Sequence, residues 1–179
     1  CIPWHLDDMG GEWVIALSAD PDLRLLYLHG GGFVSGSGAY YLAMAARLSA
    51  AAKCAVLLLD YRLAPEHPFP AAIEDCVRAY EWLTTSGPDG PTPAKSTFIA
   101  GDSAGGGLTL ATLLALRDRH CPLPQAGIAL SAFTDMTLSG KTLQSEEAFD
   151  PIMSPHCLPQ FVRLYLGDAD ARHPYASPI

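Results

Sequence analysis

The chain has 179 residues, 49% of them apolar and 17% charged, with 19 acidic side chains against 11 basic ones for a net charge of −8. A typical domain is about 25% charged, and a chain of this size buries roughly 70% of its unfolded surface, so a single domain with a substantial core is expected. The acidic balance, with no cluster of Lys or Arg, argues against a nucleic-acid binder, and no apolar stretch reaches the ~18 residues of a membrane span.

Taken in chain order, the first clear element is a short apolar run at 23–29 that stops at three glycines. A helix is expected over 41–52, with Leu42, Ala45, Ala46 and Ser49 on one face. The unbroken apolar run from Cys54 predicts a strand over 54–60, covered on both faces as in a parallel sheet. Three prolines within 65–70 forbid a regular element there, and Pro70 then opens a helix to about Thr85. A strand at 96–101, a helix at 107–119, a strand at 127–133 and a helical patch at 158–166 closed by Gly167 complete the pattern. Alternation of strand and helix predicts right-handed βαβ units and an α/β fold with a mostly parallel sheet flanked by helices. The five cysteines form no CxxC pair, and Cys54 and Cys76 fall at core positions, so neither a disulfide framework nor a zinc or redox site is expected. No metal or organic cofactor is implied.

Two glycine-rich turns carry the chemistry. Gly101-Asp102-Ser103-Ala104-Gly105 is a G-x-S-x-G sequence lying between an expected strand and an expected helix. Such a turn is sharp enough to project the Ser103 hydroxyl from the sheet, and its glycines let strand and helix approach closely. His29-Gly30-Gly31-Gly32 ends the first clear strand, 71 residues before Ser103. Attack on an acyl carbonyl creates an oxyanion, which needs backbone N–H donors unobstructed by side chains. The two motifs together predict Ser103 as nucleophile, with an oxyanion hole formed by this loop and the N–H of Ala104.

These residues resemble the hormone-sensitive-lipase-like branch of the α/β-hydrolases, the bacterial carboxylesterases. The likeness runs through HGGGF at 29–33, DYRLAPEHPFPAA at 60–72, GDSAGGGL at 101–108, DPIMSP at 150–155 and YASPI at 175–179. The resemblance implies Ser103 as nucleophile, Gly31, Gly32 and Ala104 as oxyanion donors, and a loop-orienting role for His29. It implies a small-molecule ester as substrate, with short acyl groups. Phe33, Tyr40 and Tyr41 follow the oxyanion loop and either line an acyl pocket or belong to the core. Arg62, Glu66 and His67 are expected to satisfy one another in a rigid, proline-fixed connection rather than to form a catalytic cluster.

A serine nucleophile needs a base, oriented by an acid, and in α/β-hydrolases the order along the chain is Ser, Asp or Glu, then His. His120 stands 17 residues past Ser103, about 26 Å along a helix, which excludes it. His156 and His173 remain, with Asp168 and Asp170 ahead of the latter. Yet the resemblance places both partners after two further strands, beyond Ile179. Residues 1–179 are therefore expected to form one partial α/β-hydrolase domain, lacking the last strands and the cap helices, with little activity alone. Its last strand should have an unpaired side, completed by a missing C-terminal segment or a second chain. A non-catalytic small-molecule-binding relative of the same fold is the alternative. No leader segment is seen, which favours a cytoplasmic location.

Overall fold

In the computed structural model, which describes residues 1–144 and 157–179, the chain opens with an antiparallel hairpin of β1 (Ile2–Leu6) and β2 (Met9–Val14). Then follow β3 (Asp20–Leu28), a 3-10 turn at Gly38–Tyr41, α1 (Leu42–Ala52), β4 (Cys54–Asp60) and α2 (Ala71–Thr85). A two-residue hairpin, β5 (Ser86–Gly87) with β6 (Gly90–Pro91), leads to β7 (Ser96–Asp102), α3 (Ala104–Asp118), β8 (Ala126–Leu130), a 3-10 turn at Lys141–Gln144 and α4 (Leu158–Leu166). The main sheet has six strands in the order β1-β2-β4-β3-β7-β8, parallel from β4 to β8 and antiparallel at the β1-β2-β4 side.

The apolar run in β4 is buried on both faces, as its lack of alternation predicts. Ala55, Leu57 and Leu59 pack with Leu26, Leu28, Ile99, α2 and α3 on one side. Val56 and Leu58 pack with Tyr27, Ala100 and Ala45 of α1 on the other. Cys54 and Cys76 are both buried in these two clusters. Arg24 is buried too and donates to Leu83 O at 2.9 Å, Thr92 O at 2.8 Å and Thr92 Oγ1 at 2.9 Å, tying the end of α2 to β3. No described helix is long and apolar enough to cross a membrane.

Three features differ from the sequence expectation. The hairpin β1-β2 went unrecognised because Pro3, Gly10 and Gly11 interrupt any strand pattern. Helix α3 begins at Ala104, not 107, so the glycines at 105–107 lie inside it. β8 stops at Leu130 rather than 133, because Ser131 turns to φ 44° and the Leu130 carbonyl accepts the Ser103 N–H at 2.9 Å. Among the described residues β8 pairs with β7 alone, and all five of its residues are exposed, the unpaired side expected of the last strand. The carboxyl ends of β3, β4, β7 and β8 share one edge of the sheet, where α/β folds hold their ligands. Both glycine-rich turns leave from that edge.

Candidate active site

β3 delivers the first turn. His29 is buried with its ring stacked on Tyr61, centroids 4.3 Å apart and planes 14° apart. Its Nδ1 lies 2.8 Å from the Gly30 carbonyl, and since a carbonyl only accepts, Nδ1 carries the hydrogen. The Tyr61 hydroxyl donates to His29 O at 2.7 Å. Burial lowers the His29 pKa, against a smaller upward pull from the Gly30 carbonyl. The ring is thus a neutral strut of the loop.

Gly31 adopts φ 134° and Gly32 φ 64°, conformations that side chains resist. The Gly31 carbonyl accepts Val34 N–H at 3.2 Å, Ser35 N–H at 3.1 Å and the Ser35 hydroxyl at 3.0 Å. The N–H groups of Gly31 and Gly32 have no acceptor among the described residues.

β7 delivers the second turn. Ser103 sits at φ 52°, ψ −118°, a strained conformation for a residue with a side chain. The turn is locked by its backbone: Ser103 O accepts Phe133 N–H at 2.9 Å and Gly107 N–H at 3.1 Å. Ala104 is the first residue of α3, so its N–H lies among the unpaired donors at the positive end of the helix dipole. The two turns touch. A Cβ on Gly30 would stand 2.5 Å from the Asp102 carboxylate, and one on Gly105 would stand 2.6 Å from His29 O. The fold therefore brings Ser103, Gly31, Gly32 and Ala104 to one corner at the end of β3 and β7.

The three aromatics named from sequence have three different settings. Phe33 is buried and stacked on Tyr165 at 3.8 Å, with Phe133 at 6.0 Å, so its ring belongs to the core behind α3. Tyr40 is 83% exposed on the 3-10 turn, while the adjacent Tyr41 turns inward to the Asp102 carboxylate. Sequence reasoning missed Phe161. Helix α4 docks through Tyr165 and Leu166, and one turn earlier lays the Phe161 ring over Gly32, where a Cβ would meet ring carbons at 2.8–3.2 Å. The signal was present in the four-residue spacing of Phe161 and Tyr165.

The segment after Tyr61 is a rigid connection, but its pairing differs from the expectation. Arg62 binds the buried Asp75 of α2 through Nε at 2.9 Å and Nη2 at 2.7 Å, not Glu66 or His67, which face solvent. The Ala64 N–H donates to Phe33 O at 2.9 Å and the Phe69 N–H to Tyr165 O at 2.7 Å. Among the candidate bases, His120 lies past the end of α3. His173 accepts the Tyr175 N–H at 3.1 Å on Nδ1 and packs edge-on to Phe69 and Tyr175, contacts that do not include the Ser103 turn. His156 and the DPIMSP segment lie outside the described residues.

The strand-serine-helix turn thus meets a glycine loop whose Gly31 and Gly32 N–H groups have no acceptor among the described residues. In comparison with known proteins, the family model described as alpha/beta hydrolase fold matches residues 25–179. An acetyl-hydrolase of Streptomyces hygroscopicus is 41% identical over 167 residues, covering 93% of this chain and 54% of the relative. An esterase of Acinetobacter venetianus is 32% identical over 178 residues, covering 99% and 57%. Among solved structures, an esterase from the bacterial hormone-sensitive lipase family superposes with a TM-score of 0.89 at 43% identity, covering 98% of this chain and 58% of that one. EstE5, in a crystal soaked with p-nitrophenyl butyrate, gives 0.89 at 44% identity, covering 99% and 58%. The chain belongs to the α/β-hydrolase fold family, in its hormone-sensitive-lipase-like carboxylesterase branch. It spans about half the length of the curated relatives it matches.

Proposed function

We propose that this chain supplies the nucleophile and the oxyanion hole of a carboxylic-ester hydrolase acting on esters of short acyl groups. The Ser103 hydroxyl attacks the acyl carbonyl carbon and gives its proton to a base. The carbonyl oxygen becomes anionic and is received by the N–H groups of Gly31, Gly32 and Ala104. Collapse expels the alcohol, which takes up a proton, and leaves the acyl group on Ser103 Oγ. Water then attacks the acyl-enzyme and releases the acid. The observation that carries this reading is the contact of the strained Ser103 turn with a loop whose Gly31 and Gly32 N–H groups lack acceptors among the described residues.

Base and acid are proposed to lie outside the described residues, because none of those residues hydrogen-bonds the Ser103 hydroxyl. With base and acid after the last described strands, as the family resemblance implies, the 179-residue chain alone should turn over slowly. Hydrolysis of p-nitrophenyl butyrate by this chain and by Ser103→Ala tests the reading. A slow rate that vanishes in the variant is expected; equal rates in the two proteins contradict it. A Ser103 hydroxyl with no partner among the described residues also suits a binding protein, for which the same ester would bind saturably with no dependence of p-nitrophenol release on Ser103.

Phe161 should limit the acyl space beside Gly32, whereas Phe33 is packed in the core and the exposed Tyr40 has no part. Replacement by Ala is expected to raise the kcat/KM of Ser103-dependent hydrolysis for p-nitrophenyl octanoate relative to butyrate by about tenfold, the scale of a methylene or two in an apolar pocket. Rates on the two esters check it.

A further inference from the structure

Asp102 precedes the nucleophile and is absorbed by no step above. Its carboxylate nonetheless accepts three hydrogen bonds. Oδ1 accepts the Tyr27 hydroxyl at 3.0 Å and the Gly30 N–H at 3.1 Å. Oδ2 accepts the Tyr41 hydroxyl at 2.9 Å. The Gly30 N–H is shared with the Tyr41 oxygen at 3.0 Å, which closes a ring of three groups from the glycine loop, the end of the 3-10 turn and β7, with Tyr27 of β3 joined to it through Asp102. Tyr27 is buried against the sheet, its ring 5.6 Å from that of Tyr41.

We propose that Asp102, with Tyr27 and Tyr41, is the positioning device that fixes the glycine loop against the Ser103 turn and so sets where the Gly31 and Gly32 N–H groups lie. Its bearing on catalysis rests on the oxyanion reading above. Three observations support it. Gly30 has no positive φ, so its backbone does not require glycine; what requires it is the approach of Asp102, whose Oδ2 would lie 2.5 Å from a Cβ and whose Cγ would lie 3.2 Å away. Gly30 is joined directly to Gly31, so a shift of its N–H moves the donors. Burial, reinforced by the carboxylate, raises the pKa of both tyrosines, which keeps them protonated as donors at neutral pH. A carboxylate one residue from a forming oxyanion works against that charge, so its presence calls for a compensating role, and three converging donors provide one.

The test uses the 179-residue chain, with amide exchange and 15N relaxation read for wild type, Asp102→Ala, Asp102→Asn and Tyr41→Phe. The informative amides are Val34 and Ser35, which bond to Gly31 O and not to Asp102. In Asp102→Ala their exchange should rise at least tenfold while β4 amides are unchanged, and the order parameters of Gly31 and Gly32 should fall. Asp102→Asn keeps Oδ1 as acceptor for Tyr27 and Gly30 and should restore most of the protection. Ser103-dependent hydrolysis should fall in kcat with KM little changed. Unchanged exchange at Val34 and Ser35, or a rise shared equally by β4, overturns the proposal by making Asp102 inert or merely stabilising. Should Asp102→Ala fail to fold, Tyr41→Phe and Tyr27→Phe, each lacking one oxygen, decide on the same amides. Exchange is read without turnover, so a chain lacking Ser103-dependent hydrolysis but showing the exchange pattern would sink the esterase reading and leave the positioning intact.

Discussion

Gly105→Ala is expected to destabilise the chain by about 3 kcal/mol, the upper part of the range for overpacking a tight site, and to abolish Ser103-dependent chemistry with it. An added Cβ would stand 2.6 Å from both His29 O and Leu28 C, with the Leu28 carbonyl oxygen closer still. These are backbone atoms at the end of β3, a central strand hydrogen-bonded to β4 on one side and β7 on the other, so they cannot move aside. The start of α3 must lift instead, carrying Ser103 and the Ala104 N–H away from the glycine loop. Gly10→Ala is the control: its nearest atoms belong to the His5 ring at 3.8 Å and more, and an effect within about 0.5 kcal/mol is expected, as for an unencumbered surface site. Urea unfolding separates the two by midpoint at constant slope.

Arg62→Ala is expected to cost about 3 kcal/mol, the lower end for removing one partner of a buried pair. Asp75 is fully buried on α2, and its carboxylate receives the Arg62 Nε and Nη2 donors and the Arg62 backbone N–H at 2.9 Å. Without the guanidinium, the backbone donor stays and the nearest remaining cation is Arg78 at 3.9 Å. The loss should reach the site, because the same segment holds Phe33 O through the Ala64 N–H. Arg62→Lys keeps the charge but not the planar fork, and should recover less than half of the loss. Replacing both residues by apolar ones of similar size should cost less than Arg62→Ala alone. Denaturant melts of the three variants provide the comparison.

The parallel core was legible because burial on both faces leaves a plain mark, the unbroken apolar run of β4. The hairpin β1-β2 was not. Gly11 reads as a strand breaker, yet it is there because a Cβ would collide with the Leu58 carbonyl of β4 and stand 3.2 Å from the Trp4 ring. The glycines at 105–107 misplaced the start of α3 for the same reason. They are demanded by neighbours that the sequence brings close only through the fold: β3, Ala132 and the Phe133 carbonyl. The site divides along this line. Ser103 and the glycine loop are contiguous motifs and were readable. The Asp102, Tyr27 and Tyr41 ring depends on β3 lying beside β7. The choice of Tyr41 over Tyr40 depends on the rotation of a single 3-10 turn. Phe161 reaches Gly32 only because Tyr165 docks on Phe33.

Acylation of Ser103 is the most direct measure of the central claim. The chain is mixed with p-nitrophenyl butyrate, quenched at intervals, and mapped by peptide mass spectrometry. The account predicts one butyryl group on the peptide carrying Ser103, released by hydroxylamine and absent from Ser103→Ala. A butyryl group found elsewhere at equal yield in both proteins, or no adduct and no p-nitrophenol release beyond that of the variant, would contradict it.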